Sequence, residues 1–503
     1  MKKCYLVLLL SIATALIFAS SVCAEDLKFD YGASERIREE IWDNLIDLAT
    51  NPHGSDDKNS FNERNFFRFR TSLWGSVYYK ENQDNSLGLY VRLTNEAKEY
   101  LGSDHYRLAE NLSPFYTVTS ETHFAHFESD EIIFDNLYVD YKKILGGPLD
   151  IRIGRQELTY GEGFLVSEGT PGDGSRTFYF NAAKATVNIT PNNSVDLVYI
   201  SDPKTDIYLP SVHSSVNSNA AYGYVDNKRI LNTSDEQGVV LYSKNKIDNF
   251  NIEPYYIYKT EAGFTAFNYV SPQALTSQTP RLNLNTFGAR LLYDDSVWKA
   301  GAEYAHESGK YANGGVYPNG LDRTGNGGYV FAGYNFKDTP LKPYAELRYV
   351  YLSGQNSNNS GKDGSWDPLF SRQPYWNELY IYTLIPATLK YSNGIPGYWT
   401  NLNIYKATLK LNFTDSANLT LSYQYLTAPD PNISNSLIAP NLFSNNGGKD
   451  IGQLPTVLAY YKFNKNIDAF VQWEYLIPGN FYTSGANGAK DGSFFRWQLQ
   501  FKL

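Results

Sequence analysis

Basic side chains recur in this chain one step out of phase with apolar ones. In NFFRFRTSLW, Arg68 and Arg70 alternate with Phe67 and Phe69, and Leu73 keeps the apolar phase. In LYVRLT, Arg92 stands opposite in phase to Leu89, Val91 and Leu93. The same relation holds for Arg152, Lys184, Arg290, Arg348, Lys406, Lys410, Lys462 and Arg496. A guanidinium takes a carboxylate in two parallel hydrogen bonds, and any row of cations concentrates anions beside it. Such a row, facing water, would bind and pass anions without covalent chemistry. Acids share the polar phase at Asp140, Glu253, Glu303, Glu346, Asp468 and Glu474. By this face assignment bases outnumber them roughly two to one, as a selective pore wall would require. The bland alternative is a wall of local ion pairs with little selectivity.

Catalytic motifs do not compete with that reading. The Gly-rich stretch after DIRIGRQELTYGEGF (150–164) has no Gly-Lys-Ser/Thr and opens a strand, so it reads as a turn or constriction loop. Gly-x-Ser-x-Gly is absent. His123 and His126 (HFAH) lack the further ligands a metal needs. GKDGSWD lacks the EF-hand spacing. The expectation is no enzyme, no cofactor and no metal.

The elements that must position these cations are strands. The chain ends FFRWQLQFKL, with Phe495, Trp497, Leu499, Phe501 and Leu503 on one face and Arg496, Gln498, Gln500 and Lys502 on the other. Period-two stretches of this kind occur near 28–42, 64–80, 86–97, 130–142, 149–158, 177–189, 194–202, 237–246, 250–262, 282–293, 297–307, 327–338, 341–353, 402–414, 418–427, 454–464, 467–477 and 493–503. Short connections (PNN, DDS, TP, DSA, KN) alternate with long ones (98–129, 203–236, 354–401). A sandwich has no reason to alternate in this way. An all-β, single-chain transmembrane antiparallel β-barrel of about 18 strands, with short periplasmic turns and long extracellular loops, requires it. No strand edge can be left bare in hydrocarbon, so FFRWQLQFKL should close against the first strand. That first strand is contested, because ERIREEIWDNLIDL also places Ile37, Ile41, Leu45 and Leu48 at helical spacing. An even strand count favours the strand.

The totals agree with a barrel. Residues 1–24 read as a cleaved signal peptide, with MKK, an apolar run, and Val22 and Ala24 before the cut, leaving 25–503 as the barrel. Val22 suits lipidation at Cys23 poorly. Both cysteines, Cys4 and Cys23, lie in that leader, which excludes disulfides and cysteine-held metals from the remainder. Aromatic residues make up 16% of a chain whose mean hydropathy is −0.42, as expected if half of each strand faces lipid and half faces water. A net charge of −9 argues against nucleic acid as a partner.

RIGRQ with Tyr160, Gly161 and Glu162 resembles the alginate-export family of outer-membrane barrels, as does the plan of leader, aromatic strands and terminal strand. The resemblance is concentrated at 150–190 and 493–503. It implies an 18-stranded barrel whose arginine-rich lumen passes an anionic uronate polysaccharide, with loops as gates. It further implies that Arg152 meets a substrate carboxylate and that Arg155 and Gln156 complete the motif strand. Strict alternation puts Arg152 and Gln156 inward but Arg155 outward, so either Gly154 sits at a bulge or Arg155 lies at the rim. The family often carries an Arg shortly after Tyr-Gly, where this chain has Phe164, so alginate itself is not implied by the motif. The aromatic-rich end resembles the signal read by barrel-assembly machinery, with Leu503 in place of the usual Phe. Within the longest loop, SWDPLFSRQPYWNELYIYT (365–383) is too aromatic to lie free in solvent. It is expected to plug the lumen through Trp366, Arg372 and Trp376.

The expectation is therefore an outer-membrane channel for anionic saccharides or other anions, in a Gram-negative-type bacterium. Its partners would be outer-membrane lipid, lipopolysaccharide, barrel-assembly machinery and periplasmic export proteins. The alternatives are a general porin or a secreted all-β carbohydrate-binding protein.

Overall fold

A computed structural model describes residues 27–44, 48, 64–80, 86–101, 127–168, 179–212, 224–225, 228–229, 231–232, 234–265, 278–315, 317–355, 361–371, 400–430, 448–481 and 489–503. The long strands, in chain order, are β1 (Leu27–Asp43), β2 (Arg64–Lys80), β3 (Ser86–Tyr100), β4 (Phe127–Lys142), β5 (Leu149–Gln156), β6 (Phe180–Thr190), β7 (Asn193–Asp202), β8 (Glu236–Ile247), β9 (Phe250–Glu261), β10 (Leu282–Asp294), β11 (Trp298–Tyr311), β12 (Leu321–Asn335), β13 (Tyr344–Leu352), β14 (Leu402–Asn412), β15 (Ala417–Thr427), β16 (Asp450–Lys462), β17 (Ile467–Pro478) and β18 (Gly492–Lys502). Each pairs antiparallel with the next. β18 returns to β1, from Lys502 opposite Ser34 to Ser493 opposite Asp43, and the cylinder is closed.

ERIREEIW is a strand, not a helix. Arg36, Arg38, Glu40 and Trp42 are buried inside, while Ile37, Glu39 and Ile41 face out. A helix there would leave both β2 and β18 with a bare edge in hydrocarbon.

Two backbone irregularities re-aim side chains. Arg92 pairs with Asn136 but Leu93 with Phe134, so Asp135 is an extra residue, and both Asp135 and Asn136 point inward. Gly154 has φ +131, and a Cβ there would lie 2.2 Å from the Leu137 carbonyl oxygen. Only glycine fits this position. The pairing of β5 with β4 stays in step through Gly154, so the motif strand has no bulge. Arg155 keeps outward parity at the strand's end, where Asp206 (2.6 Å), Asn181 and the Tyr179 ring cover it.

The outer face carries two aromatic belts. At the short-turn end, Phe250 packs on Tyr293, Trp298 on Tyr334 and Tyr461 on Phe463. Nearer the long loops, outward tyrosines donate to side-chain amides on the neighbouring strand: Tyr256 to Asn285, Tyr258 to Asn283, Tyr304 to Asn326, Tyr349 to Asn403 and Tyr423 to Gln453. Each phenol is thus satisfied without water, as a lipid interface demands.

The interior is not uniformly polar. Toward the long-loop end, inward positions are apolar too: Val198, Ile200, Val240, Ile257, Leu284, Val350, Ile404 and Leu476 are buried there. Segments 157–168 and 361–371 fold down onto this surface, through Leu158, Phe164, Leu165, Val166, Trp366 and Phe370.

Gly154→Val is expected to abolish the heat-modifiable folded band on a gel, whereas Gly75→Ala, whose new Cβ would meet nothing closer than 3.9 Å, leaves it intact.

Candidate functional site

The predicted cations fall into three groups along the lumen. On the wall formed by β18 and β1 to β4, Arg68, Arg70, Arg92 and Arg496 join Arg36 and Arg38. Arg36 lies directly opposite Arg70, and Arg38 opposite Arg68. Like charges facing across strands repel, and inward acids offset the repulsion. Glu40 accepts from Arg68 (2.9 Å) and Arg496 (3.1 Å). Glu96 takes Arg68 (3.2 Å) and Arg36 (3.5 Å). Asp135 takes Arg92 (2.6 Å) and Arg70 (3.2 Å). Arg92 also holds Glu157 of the in-folded loop.

The second group is Arg152 and Lys184, joined by Lys244. Arg152 makes a two-pronged bond to Asp140 (2.6 and 2.9 Å) and lies over the Tyr138 ring, which continues a stack through Tyr90 to Trp74. Lys184 and Lys244 both pair with Asp196 at 3.1 Å and flank the Tyr160 ring, whose hydroxyl donates to the same Asp196 (2.9 Å). The third group lies beneath the loops. Arg290 bonds Glu253 (2.9 Å), and Arg348 bonds Glu346 (2.9 Å) and Glu162 of the loop (2.6 Å). Lys406, Lys410 and Lys462 occupy inward positions on β14 and β16.

Several expectations need correction. Gln156 faces inward but is wholly buried, donating to the Ala182 and Gly154 carbonyls, so it fixes the strand end and meets no solute. Arg68 and Arg496 are buried in the wall network. The two-to-one excess of bases narrows, because Glu96, Asp135, Asp196, Glu261 and Glu307 also face inward. Glu157, Glu162, Asp363 and Asp367 enter on the loops, and each takes part in an ion pair with a cation of the wall.

At three wall carboxylates the base is the more exposed partner, whereas the acid is the more exposed one at Arg92–Glu157 (20% against 39%), Arg290–Glu253 (9% against 14%) and Arg348–Glu162 (9% against 13%). Arg152 is 33% exposed against 5% for Asp140, and Lys184 and Lys244 are 24% and 44% exposed against 1% for their shared Asp196. Arg92 is 20% exposed while Asp135 is fully covered. At Arg152, Lys184 and Lys244 the cations thus stand in front of their counter-charges.

The loop reading holds in part. Trp366 is buried, stacked on Phe164 at 5.2 Å, over Gly327, where any Cβ would strike its ring. Two further anchors come from the wall: Lys259 donates to the Leu369 carbonyl (2.9 Å), and Arg323 pairs with Asp363 and Asp367. Both segments are also joined backbone to backbone, Phe370 N to Leu165 O at 3.0 Å. Arg372, Trp376, His123 and His126 lie outside the described residues. Sequence reading missed Lys244, Lys259 and Arg323. The first two share the phase of Tyr242 and Ile257 and were legible. Arg323 sits in LDRTGNGG, whose glycines read as a loop.

The alginate export family matches residues 224–495, more than half of the chain. The chain belongs to the alginate export family. The stretch 150–190, which carries the RIGRQ resemblance, lies outside that range. No curated protein matches the chain. Among solved structures it is similar to Acinetobacter baumannii OccAB4 (TM-score 0.54, 10% identity, 95% of this chain and 98% of that one). It is also similar to Pseudomonas aeruginosa OccK9 (OpdG) (0.53, 12%, 94% and 98%) and to a BenF-like porin from Pseudomonas fluorescens Pf-5 (0.53, 10%, 95% and 99%). A further barrel, Pseudomonas aeruginosa OccK2 (OpdF), is a complex with glucuronate (0.50, 9%, 95% and 98%). At these identities the likeness is one of fold. This alginate export family member is thus an outer-membrane porin-type barrel, and family and fold are those of channels, not enzymes.

Two outcomes test the loops. Trp366→Ala removes a filling side chain at a cost of about 3–5 kcal/mol and should raise single-channel conductance. Glu168, on the in-folded loop, has its carboxyl pushed up to about 8 by burial and by Glu157 beside it, against the opposing pull of Arg92 and Arg70. The packed loop therefore holds a proton that the freed loop releases, so its stability is full at low pH and declines as pH rises toward and through 8. Open-state flicker should increase as pH rises from about 4.5 to about 8 in bilayer recordings, and Glu168→Gln should remove that dependence.

Proposed function

We propose that this barrel passes anionic solutes, uronate saccharides among them, by diffusion through a lumen whose exposed charge is positive. One observation carries the reading: at Arg152, Lys184 and Lys244 the cation is exposed and its partner Asp140 or Asp196 is covered. Fixed cations in front of buried acids raise local anion concentration, and arginine matches a carboxylate two-pronged. A barrel of the same architecture is known in complex with glucuronate. Membership of the alginate export family supports a uronate polymer as cargo, while Phe164, packed between Trp366 and Tyr329, stands where the family motif often carries arginine. On this reading residues 1–24 direct secretion, and assembly machinery, lipopolysaccharide and periplasmic proteins are the partners.

Reversal potential across a salt gradient tests the proposal. The native barrel should prefer chloride over potassium. Arg152→Gln with Lys244→Gln should lower that preference several-fold, because two exposed charges are lost and Asp140 and Asp196 are left less shielded. Glucuronate should block the native channel at lower concentration than glucose. Cation preference in the native barrel would sink the anion reading and leave a general porin.

A further inference from the structure

The 361–371 segment rests on a surface that the wall leaves clear for it. A Cβ at Gly238 on β8 would lie 2.5 Å from the Phe370 ring, and one at Gly327 on β12 would lie 2.6 Å from Trp366. A Cβ at Gly325 would strike the carboxyl of Glu307, which stands directly opposite on β11. The segment is thus seated by two rings, with the Glu307 carboxyl beneath it. Glu307 Oε2 accepts from the Asp367 backbone N–H at 3.0 Å, which ties the segment to β11.

Glu307 differs from the other acids of this seat. Asp363 and Asp367 on the segment pair with Arg323 of β12 (3.3 and 3.4 Å), and Asp367 also with Lys259 of β9 (3.5 Å). Lys259 holds Glu261 (2.6 Å) and Glu236 of β8 (3.8 Å) as well. Tyr311, on the strand of Glu307, accepts from Arg323. Glu307 is wholly buried, and among the described residues it has no ion pair and its Oε1 meets no donor. Thr286, directly opposite on β10, is also wholly buried, and its hydroxyl has no partner either. Glu303, four residues away on the same strand, shows the usual remedy, with the Tyr255 and Tyr329 hydroxyls donating to it. An enclosed carboxylate without a cation, and with a second carboxylate beside it, is far more costly than the neutral acid.

We propose that Glu307 is held as the neutral acid while the 361–371 segment is seated, and that loss of this proton to water unseats the segment. Thr286 offers the protonated Oε1 an acceptor across the strand pair, while Oε2 keeps the Asp367 N–H. With the proton gone, the Glu307 and Asp367 carboxylates repel each other over cations already engaged by other acids. Glu307 lies three residues beyond Tyr304 of the outer aromatic belt, outside the hydrocarbon, so external water receives the proton once the segment lifts. The seated state binds a proton that the freed state releases. Its stability is therefore full at low pH and falls as pH rises above the ordinary carboxyl range, with the opening equilibrium growing by up to about ten-fold per pH unit.

The test uses the Glu168→Gln barrel, so that Glu168 does not contribute. Ser371→Cys, buried on the segment, reports unseating, since no native cysteine lies beyond residue 23. Its labelling by a membrane-impermeant maleimide is compared with and without Glu307→Gln at each pH, which cancels the thiol's own titration. Between about pH 6 and about pH 9 that ratio should rise at least about ten-fold, and single-channel conductance should rise only where Glu307 is retained. Glu307→Gln, neutral and of the same shape, should keep the segment seated throughout. At neutral pH the infrared spectrum of the native barrel should contain a protonated-carboxyl band that Glu307→Gln removes. A constant ratio, an alkaline rise that survives Glu307→Gln, or a segment that Glu307→Gln unseats already at about pH 6 would each overturn the proposal. None of these readings depends on which ion the lumen prefers.

Discussion

No backbone amide of a membrane strand can lack a partner in hydrocarbon, and here that requirement falls on the contact between the two ends of the chain. Ten residue pairs join β1 to β18. Every other strand neighbour is close in sequence, but this pair is separated by more than 450 residues. Closure is therefore the contact that costs most in loop-closure entropy. The side chains at the seam reflect that. Arg38 donates to Gln498 (2.6 Å), Arg496 to Glu40 and Trp497 to Glu39, so polar bonds inside and outside join the two terminal strands. These bonds also begin the arginine wall, and the same residues that close the cylinder give it charge.

That wall illustrates how buried ions are made tolerable. Six arginines on four adjoining strands would repel one another if bare. Glu40 bridges three of them, Glu96 and Asp135 two each, and one of the three acids arrives only through a β-bulge. Truncating one acid would strand two cations, which is why breaking a buried pair costs several kcal/mol more than the pair contributes. The network holds these arginines in fixed positions within the wall, most of them out of reach of the lumen.

Period-two alternation made nearly all of the fold legible. Strand count, closure by FFRWQLQFKL and the alternation of short and long connections follow from it, because lipid on one side and water on the other force that pattern. It failed where its premise failed. β12 begins at Leu321 rather than 327, since Arg323 and its glycines are enclosed by the 361–371 segment and not by lipid and water. β16 begins at Asp450, four residues early, with Gly452 at φ +146 marking a register shift no side-chain pattern reveals. Inward direction was legible for Arg68, Arg152 and the other cations. Depth behind the surface was not: whether a base or its acid reaches the water depends on neighbours several strands away.

The resulting arrangement also limits how tightly a solute can be held. A lumen of bare arginines would bind a polyuronate at many points and release it slowly, whereas conduction requires sites strong enough to enter and weak enough to leave. At Arg152, Lys184 and Lys244 the exposed cation already has a carboxylate behind it, so on the proposed reading an incoming anion competes with Asp140 or Asp196 and does not fill an empty site. Its gain is the difference between two similar contacts. On that reading specificity falls to the in-folded loops, where Phe164 stacks on Trp366 and Glu162 ties its segment to Arg348. On the proposed reading attraction and sieving therefore belong to different residues, and each can change without dismantling the other.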